Sequence, residues 1–258
     1  MIVTCKNCYT EFDSPYCPQC GQKNSVSSLT LNSLLRGIAL NFGTVDRGVT
    51  RTFIDLFIRP GHMAIEYVYG KRVIYYAPFQ LLFILAAVYS MFNFWYGDTS
   101  DFSIAEGSEG LINMQARELI TKAVRFMQNN RGILWAACIP IQVAIFRTLY
   151  KPLRYRFTLV ESYFIAAYFF SQIILVQLLF SIMMLEDSGY ELLLLLLLLS
   201  YDIKQICGGS WIRNIIKCAF SQFLFVLVLL IIIVVIIIMI AFIVGADANA
   251  INHILDEM

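Results

Sequence analysis

From about Pro78 onward, long apolar stretches alternate with short polar ones. Before it, hydrophobic residues recur at helical spacing among charged residues. A membrane-spanning helix needs roughly 20 mostly apolar residues. Five stretches approach that length: 79–96, 132–150, 159–185, 190–206 and 219–244. The fourth has Leu192 to Leu199 as its core and is cut short by Asp202 and Lys204; a re-entrant or interfacial helix is its alternative. The pattern predicts an all-α integral membrane protein of about five transmembrane helices, occupying 78–246.

The segment 25–77 has a different period. Leu31, Leu34, Leu35, Ile38 and Leu40 mark one amphipathic helix, and Phe53, Ile54, Leu56 and Phe57 a second from about Asp46 to Ile58. Pro60 suits the first turn of a third, running to about Tyr69, and Gly70 suits its stop. These helices are expected at the membrane interface, with Arg36, Arg47, Arg51, Arg59, Lys71 and Arg72 toward lipid phosphates and Tyr67, Tyr69, Tyr75 and Tyr76 as an interfacial belt. Lys71, Arg72 and Arg59 are candidate lipid-headgroup contacts; an ordinary positively charged anchor is the alternative. In the loop 97–131, Leu111, Met114, Leu119, Val124 and Phe126 predict an external amphipathic helix.

Composition agrees with a membrane protein. The 258 residues are 59% hydrophobic and 14% charged, against about 45–50% and about 25% in soluble domains. A net charge of +1 gives no case for a nucleic-acid partner. Loop charge sets the expected orientation. Basic residues sit before the first stretch, after the second (Lys151, Arg154, Arg156) and after the fourth (Lys204, Arg213, Lys217). Acidic residues begin the loop after the first (Asp98, Asp101, Glu106, Glu109), follow the third (Glu186, Asp187) and fill the tail 247–258 (Asp247, Asp256, Glu257). Arg117, Lys122, Arg125 and Arg131 weaken the rule without reversing it. The expectation is a cytoplasmic N-terminus and an external C-terminus in the inner membrane. The first thirty residues lack the apolar core of a signal peptide and are expected to remain in the mature protein.

Residues 1–24 carry Cys5, Cys8, Cys17 and Cys20, spaced C-x2-C-x8-C-x2-C. Two C-x2-C turns can complete a tetrahedral thiolate shell. Gly21 suits a turn with positive φ, while Pro15 and Pro18 stiffen the approach. The eight residues between the pairs have room for a short hairpin only. So small a unit cannot fold by burial, so a bound metal would supply the energy. A closed four-cysteine shell leaves no position for catalysis. Structural zinc is the favoured cofactor; iron and a redox dithiol or disulfide pair are the alternatives.

The motif C-x-N-C-x-x-x-F-x-x-x-Y-C-x-x-C-G-Q (Cys5, Asn7, Cys8, Phe12, Tyr16, Cys17, Cys20, Gly21, Gln22) is followed by Thr52, Leu56, Pro60-Gly61, Tyr69-Gly70-Lys71-Arg72, Tyr75 or Tyr76, Pro78 and Gly209-Ser210-Trp211. Together these resemble the bacterial membrane-protein family called domain of unknown function 3667, over most of the chain. The resemblance implies an N-terminal zinc ribbon on several membrane helices, with no established biochemical activity. Two departures stand out: Tyr9 where the family usually has glycine, and the run Glu161-Ser162-Tyr163-Phe164 to Tyr168 where it tends to carry histidines.

Within the spans, Glu161, Tyr168 and Gln172 fall on one helical face that Gln142 could meet, a candidate polar path; plain inter-helix hydrogen bonding is the alternative. Arg147, near a span end, can snorkel. Span five has no polar side chain from Phe223 to Val244. The two histidines, His62 and His253, fall on opposite sides of the predicted membrane, and no nucleophile elbow, phosphate loop or zinc-protease motif occurs. The leading expectation is a non-enzymatic scaffold or accessory protein whose cytoplasmic ribbon docks a protein partner. A small transporter or channel and a lipid-modifying enzyme are the alternatives. Oligomeric state is open.

Overall fold

The computed structural model describes residues 2–26, 29–30, 48–96, 121–122, 125–127, 130–183 and 190–256. The helix expected around Leu31–Leu40, most of the external amphipathic helix with its acidic run, and the Glu186–Asp187 turn lie outside the described residues. Strands β1 (Val3–Thr4) and β2 (Glu11–Phe12) form an antiparallel pair, with Val3 opposite Phe12 and Thr4 opposite Glu11. Among the described residues nine helices follow: α1 (Val49–Ile58), α2 (Pro60–Val68), α3 (Pro78–Tyr96), α4 (Arg131–Ala137), α5 (Ile139–Leu149), α6 (Lys151–Arg156), α7 (Leu159–Ile182), α8 (Tyr190–Cys207) and α9 (Trp211–Asp256).

α7 is the hub. Its apolar window is 67% buried, and α3, α2, α5, α4, α8 and α1 all pack on it. Its start is fixed locally by a capping box. The Thr158 hydroxyl accepts from the Glu161 backbone N–H at 3.2 Å, and the Thr158 N–H donates to the Glu161 carboxylate at 2.8 Å. The T-x-x-E spacing of Thr158 and Glu161 carries that signal, which the reading of Glu161 as part of a polar face overlooked. The box also corrects the predicted polar face. Glu161 is spent at the helix start and is separated from Tyr168 and Gln172, which are fully buried farther along.

Among the described residues, three helices are long and apolar enough to cross a membrane: Pro78–Tyr96, Leu159–Ile182 and Trp211–Ile236. Five were expected, so two of the expected spans fall short of that length or apolarity. The second expected span divides at Cys138 into α4 and α5, because Pro140 in the first turn of α5 has no N–H to continue the helix. Gly132 of α4 lies so close to α3 that a Cβ there would stand 2.5 Å from the Ala86 carbonyl oxygen. The fourth, α8, is a regular helix of 18 residues that carries Glu191, Asp202 and Lys204. The fifth helix starts at Trp211, earlier than the apolar run suggested.

α8 and α9 form a hairpin across Gly208 and Gly209, at φ 67° and 88°. The Asn214 amide closes it by donating to the Gly208 carbonyl at 2.9 Å. Lys204 sits 3.6 Å above the Trp211 ring, and Tyr201 stacks on that ring. Gln142 of α5 donates to Ser221 of α9 at 3.2 Å, so it binds the last helix in place of the expected face on α7. Arg147, expected near a span end, donates to the Phe157 carbonyl at 2.8 Å and the Ser162 hydroxyl at 2.7 Å, holding the α6–α7 corner.

The tyrosine belt is also corrected. Tyr67, Tyr75 and Tyr76 are buried and only Tyr69 is exposed. Tyr67 meets Tyr168 edge to face, and the Tyr168 hydroxyl donates to the Tyr76 carbonyl at 2.7 Å. The segment 48–77 is thus built into the end of the bundle. Thr52 anchors it, donating to the Gly48 carbonyl and accepting from the Tyr76 N–H, each at 2.7 Å.

Candidate metal centre and its docking loop

The β1–β2 turn holds the first C-x2-C pair, and a bridge between Tyr16 and Lys23 frames the second. Each pair therefore sits inside its own hairpin, whereas the spacing suggested one hairpin between them. Each knuckle turns through a left-handed residue: Gly21 at φ 77° and Tyr9 at φ 63°. The second is unusual for a bulky side chain and explains why glycine is the expected residue there.

The four sulfurs lie within 4.8 Å of one another; Cys5 Sγ is 3.5 Å from Cys20 Sγ, and Cys8 Sγ is 3.4 Å from Cys17 Sγ. A disulfide would need about 2.05 Å, and all four thiols are free. A tetrahedral ion bound at ~2.3 Å separates its sulfurs by roughly 3.8 Å. The four residues therefore fit a metal ion. Beside the Thr10 hydroxyl and backbone, the Cys8 thiol is pulled down to about 6, while burial pushes Cys20 up to about 12. Binding a cation would displace the protons that remain.

Both knuckles rest on one stretch of backbone, residues 70–72. Gln22 is buried, and its amide donates to the Gly70 carbonyl at 2.9 Å while accepting from the Arg72 N–H at 3.3 Å. One side chain thus imitates a neighbouring strand. From the first knuckle, the Tyr9 ring lies 5.4 Å from the Lys71 ammonium, and the Lys6 stem covers Gly70. Gly70 has φ 116°, which a side chain rarely adopts.

Behind the loop lies an ionic network. Arg59 of α1's C-cap donates to the Asp55 carboxylate at 2.8 Å and to the Tyr75 hydroxyl at 3.0 Å. The Tyr75 hydroxyl reaches Glu66 at 2.6 Å, with Asp55 at 3.1 Å. Lys71 donates to Glu66 at 3.1 Å, and Arg51 to Asp55 at 2.9 Å. Burial raises the Asp55 carboxyl, but hydrogen bonds from Arg59 and Arg51 overcome it and hold the group below its usual range. Glu66 is likewise burdened by burial and held low by Tyr75 and Lys71. Burial lowers Lys71, yet Glu66 outweighs it and the ammonium is stabilised. Burial and Glu66 together push the Tyr75 phenol well above its usual range. Arg72 is held down by burial and faces the Tyr67 ring at 5.9 Å.

The candidate headgroup residues therefore face carboxylates and rings within the protein. Arg59 and Lys71 are committed to Asp55 and Glu66, a pairing foreshadowed only by the four-residue spacings Arg51–Asp55–Arg59. Nothing in the sequence except the C-G-Q motif pointed to Gln22. The polar residues of the expected path are dispersed, but a different pair emerges. Gln172 and Asp202 are both buried, and Gln172 stands beside Asp202 beyond a well-formed hydrogen bond. His62 lies at the start of α2, where its backbone N–H donates to Gln205.

The family model described as "Protein of unknown function (DUF3667)" matches residues 46–90, the segment that carries the network, the docking loop and most of α3. This supports the family named from the residues. No curated protein and no solved structure matches the chain.

Proposed function

We propose that this is a bacterial inner-membrane scaffold or accessory protein, non-enzymatic, whose zinc ribbon lies on the cytoplasmic side and docks a protein partner. The observation that carries it is the closed four-cysteine set seated on the juxtamembrane helices. The ribbon is held at a fixed place on the bundle while Ile2 and Tyr16 remain exposed, at 72% and 59%. A closed shell of thiolates suits a structural ion and offers no open position for substrate. Zinc is preferred to iron because it needs no redox chemistry for this role. The five-span arrangement, with α4–α5 as a kinked second crossing and α8 as a short fourth, keeps the basic ends of α6 and α9 on the ribbon's side. Crosslinked affinity purification of the intact protein beside Cys17→Ser tests the docking role. A partner captured only by the intact chain is expected; identical recovery from both would contradict it.

The transporter alternative now rests on Gln172 and Asp202, whose unpaired polar atoms are buried among the helices. Flux in reconstituted vesicles that survives Gln172→Ala and Asp202→Asn together would remove that alternative.

A further inference from the structure

We infer that the ribbon is a metal-dependent latch on its own chain, locking the Gly70–Arg72 loop and, through it, the ionic network behind. This rests on the metal-centre reading above and adds a regulated intramolecular contact to it. Each ribbon residue that touches the loop is tied to a knuckle. Lys6 lies between Cys5 and Cys8, and Tyr9 follows Cys8, its N–H donating to the Cys5 carbonyl at 2.9 Å. Gln22 follows the second pair; its carbonyl accepts from the Cys17 N–H at 2.8 Å, and Cys17 also accepts from Gly21 at 2.8 Å. The clamp is therefore placed by the same two turns that the metal would hold together.

The loop side is equally specific. The Arg72 N–H is directed at Gln22, and the Gly70 carbonyl accepts from it. Lys71 between them links Tyr9 to Glu66, and Glu66 links to Tyr75 and Arg59. Tyr75 and Tyr76 then lead directly to Pro78, where α3 begins, while Tyr76 receives Tyr168 from the hub helix. Without the ion, two hairpins this small lose their relative placement. Gln22 and Tyr9 then leave the loop together, which exposes Lys71 and Arg72. Occupancy of the cysteines is thereby coupled to the entrance of the first membrane helix.

The test uses full-length protein in lipid nanodiscs, loaded with Zn²⁺ or stripped by a chelator, followed by hydrogen exchange and by trypsin cleavage after Lys71 or Arg72. Stripping is expected to speed exchange of the Arg72 amide, the loop N–H that donates to Gln22, by about tenfold, the factor one such hydrogen bond carries, and to open the tryptic site. Gln22→Ala should speed the loop similarly while keeping its metal and the slow exchange of Cys17. An unchanged loop after verified metal loss overturns the latch, and so does an unchanged loop in Gln22→Ala. Partner capture is scored separately, so failure of the docking role and failure of the latch are distinguishable.

Discussion

The ribbon and the helical bundle are held together by different means. The ribbon's apolar cluster consists of Cys5, Phe12 and Cys17 with Val3, Cys8 and Cys20 around them. Four of those six are the candidate metal ligands, so only Phe12 and Val3 remain to stabilise it by burial. The bundle's cluster instead gathers buried side chains from eight of the helices among the described residues, with Leu56, Met63, Leu82, Tyr168, Ile174 and Ile203 among the most deeply buried of them. On the metal-centre reading the first region depends on ligation and the second on packing, and Gln22 with the ionic network joins them. A change that removes the ion should therefore unfold one region and spare the other.

The largest expected effect follows from Cys17→Ser. Structural zinc contributes roughly 10–16 kcal/mol to the folding of small domains, so the ribbon should lose its ion and become protease-sensitive. Helix content by circular dichroism should stay near the native value; a collapse of both regions would break the distinction. Next comes Tyr168→Ala in the bundle, expected to cost about 3–5 kcal/mol and read by unfolding in mixed micelles, with full metal content retained. Tyr168→Phe, losing only the bond to Tyr76, should cost about 1 kcal/mol.

Smaller effects probe the joint. Arg59→Ala leaves Asp55, 6% exposed, with only the half-exposed Arg51 and the Tyr75 hydroxyl as partners and should cost about 2 kcal/mol. Arg51→Ala removes a half-exposed partner and should cost under about 1 kcal/mol. Acid acts on the same groups. Asp55 and Glu66 are both held below their unfolded values, so their stabilisation is present above about pH 4 and lost as pH falls through the lower folded values. A thermal midpoint that falls below pH 4 in the native protein, but falls less in Asp55→Asn, would support that sign.

What the sequence made legible follows the same division. The cysteine spacing, Gly21, the Pro60 start and the Gly70 stop are local signals, and each appears where it was expected. Long-range partners were not legible. Apolar length alone ranked α7 and the last helix alike, yet 67% of one window is buried and 11% of the other. The difference lies in Ser171, Gln172 and Tyr168, small or polar residues that mark the helix facing protein, whereas the uninterrupted Ile, Leu and Val run of α9 faces outward. In lipid, greater apolarity signals contact with the solvent and not with the core. The tyrosines near 67–76 were misplaced for the same reason: an amphipathic ring suits an interface and a hydrogen-bonded interior equally.

The central claim is a metal-held ribbon, and native mass spectrometry of the freshly purified, reduced full-length protein tests it directly. One zinc-sized mass per chain, lost in Cys17→Ser, is the expected result. A metal-free wild-type chain at the mass of four reduced thiols, or of two disulfides, would contradict it.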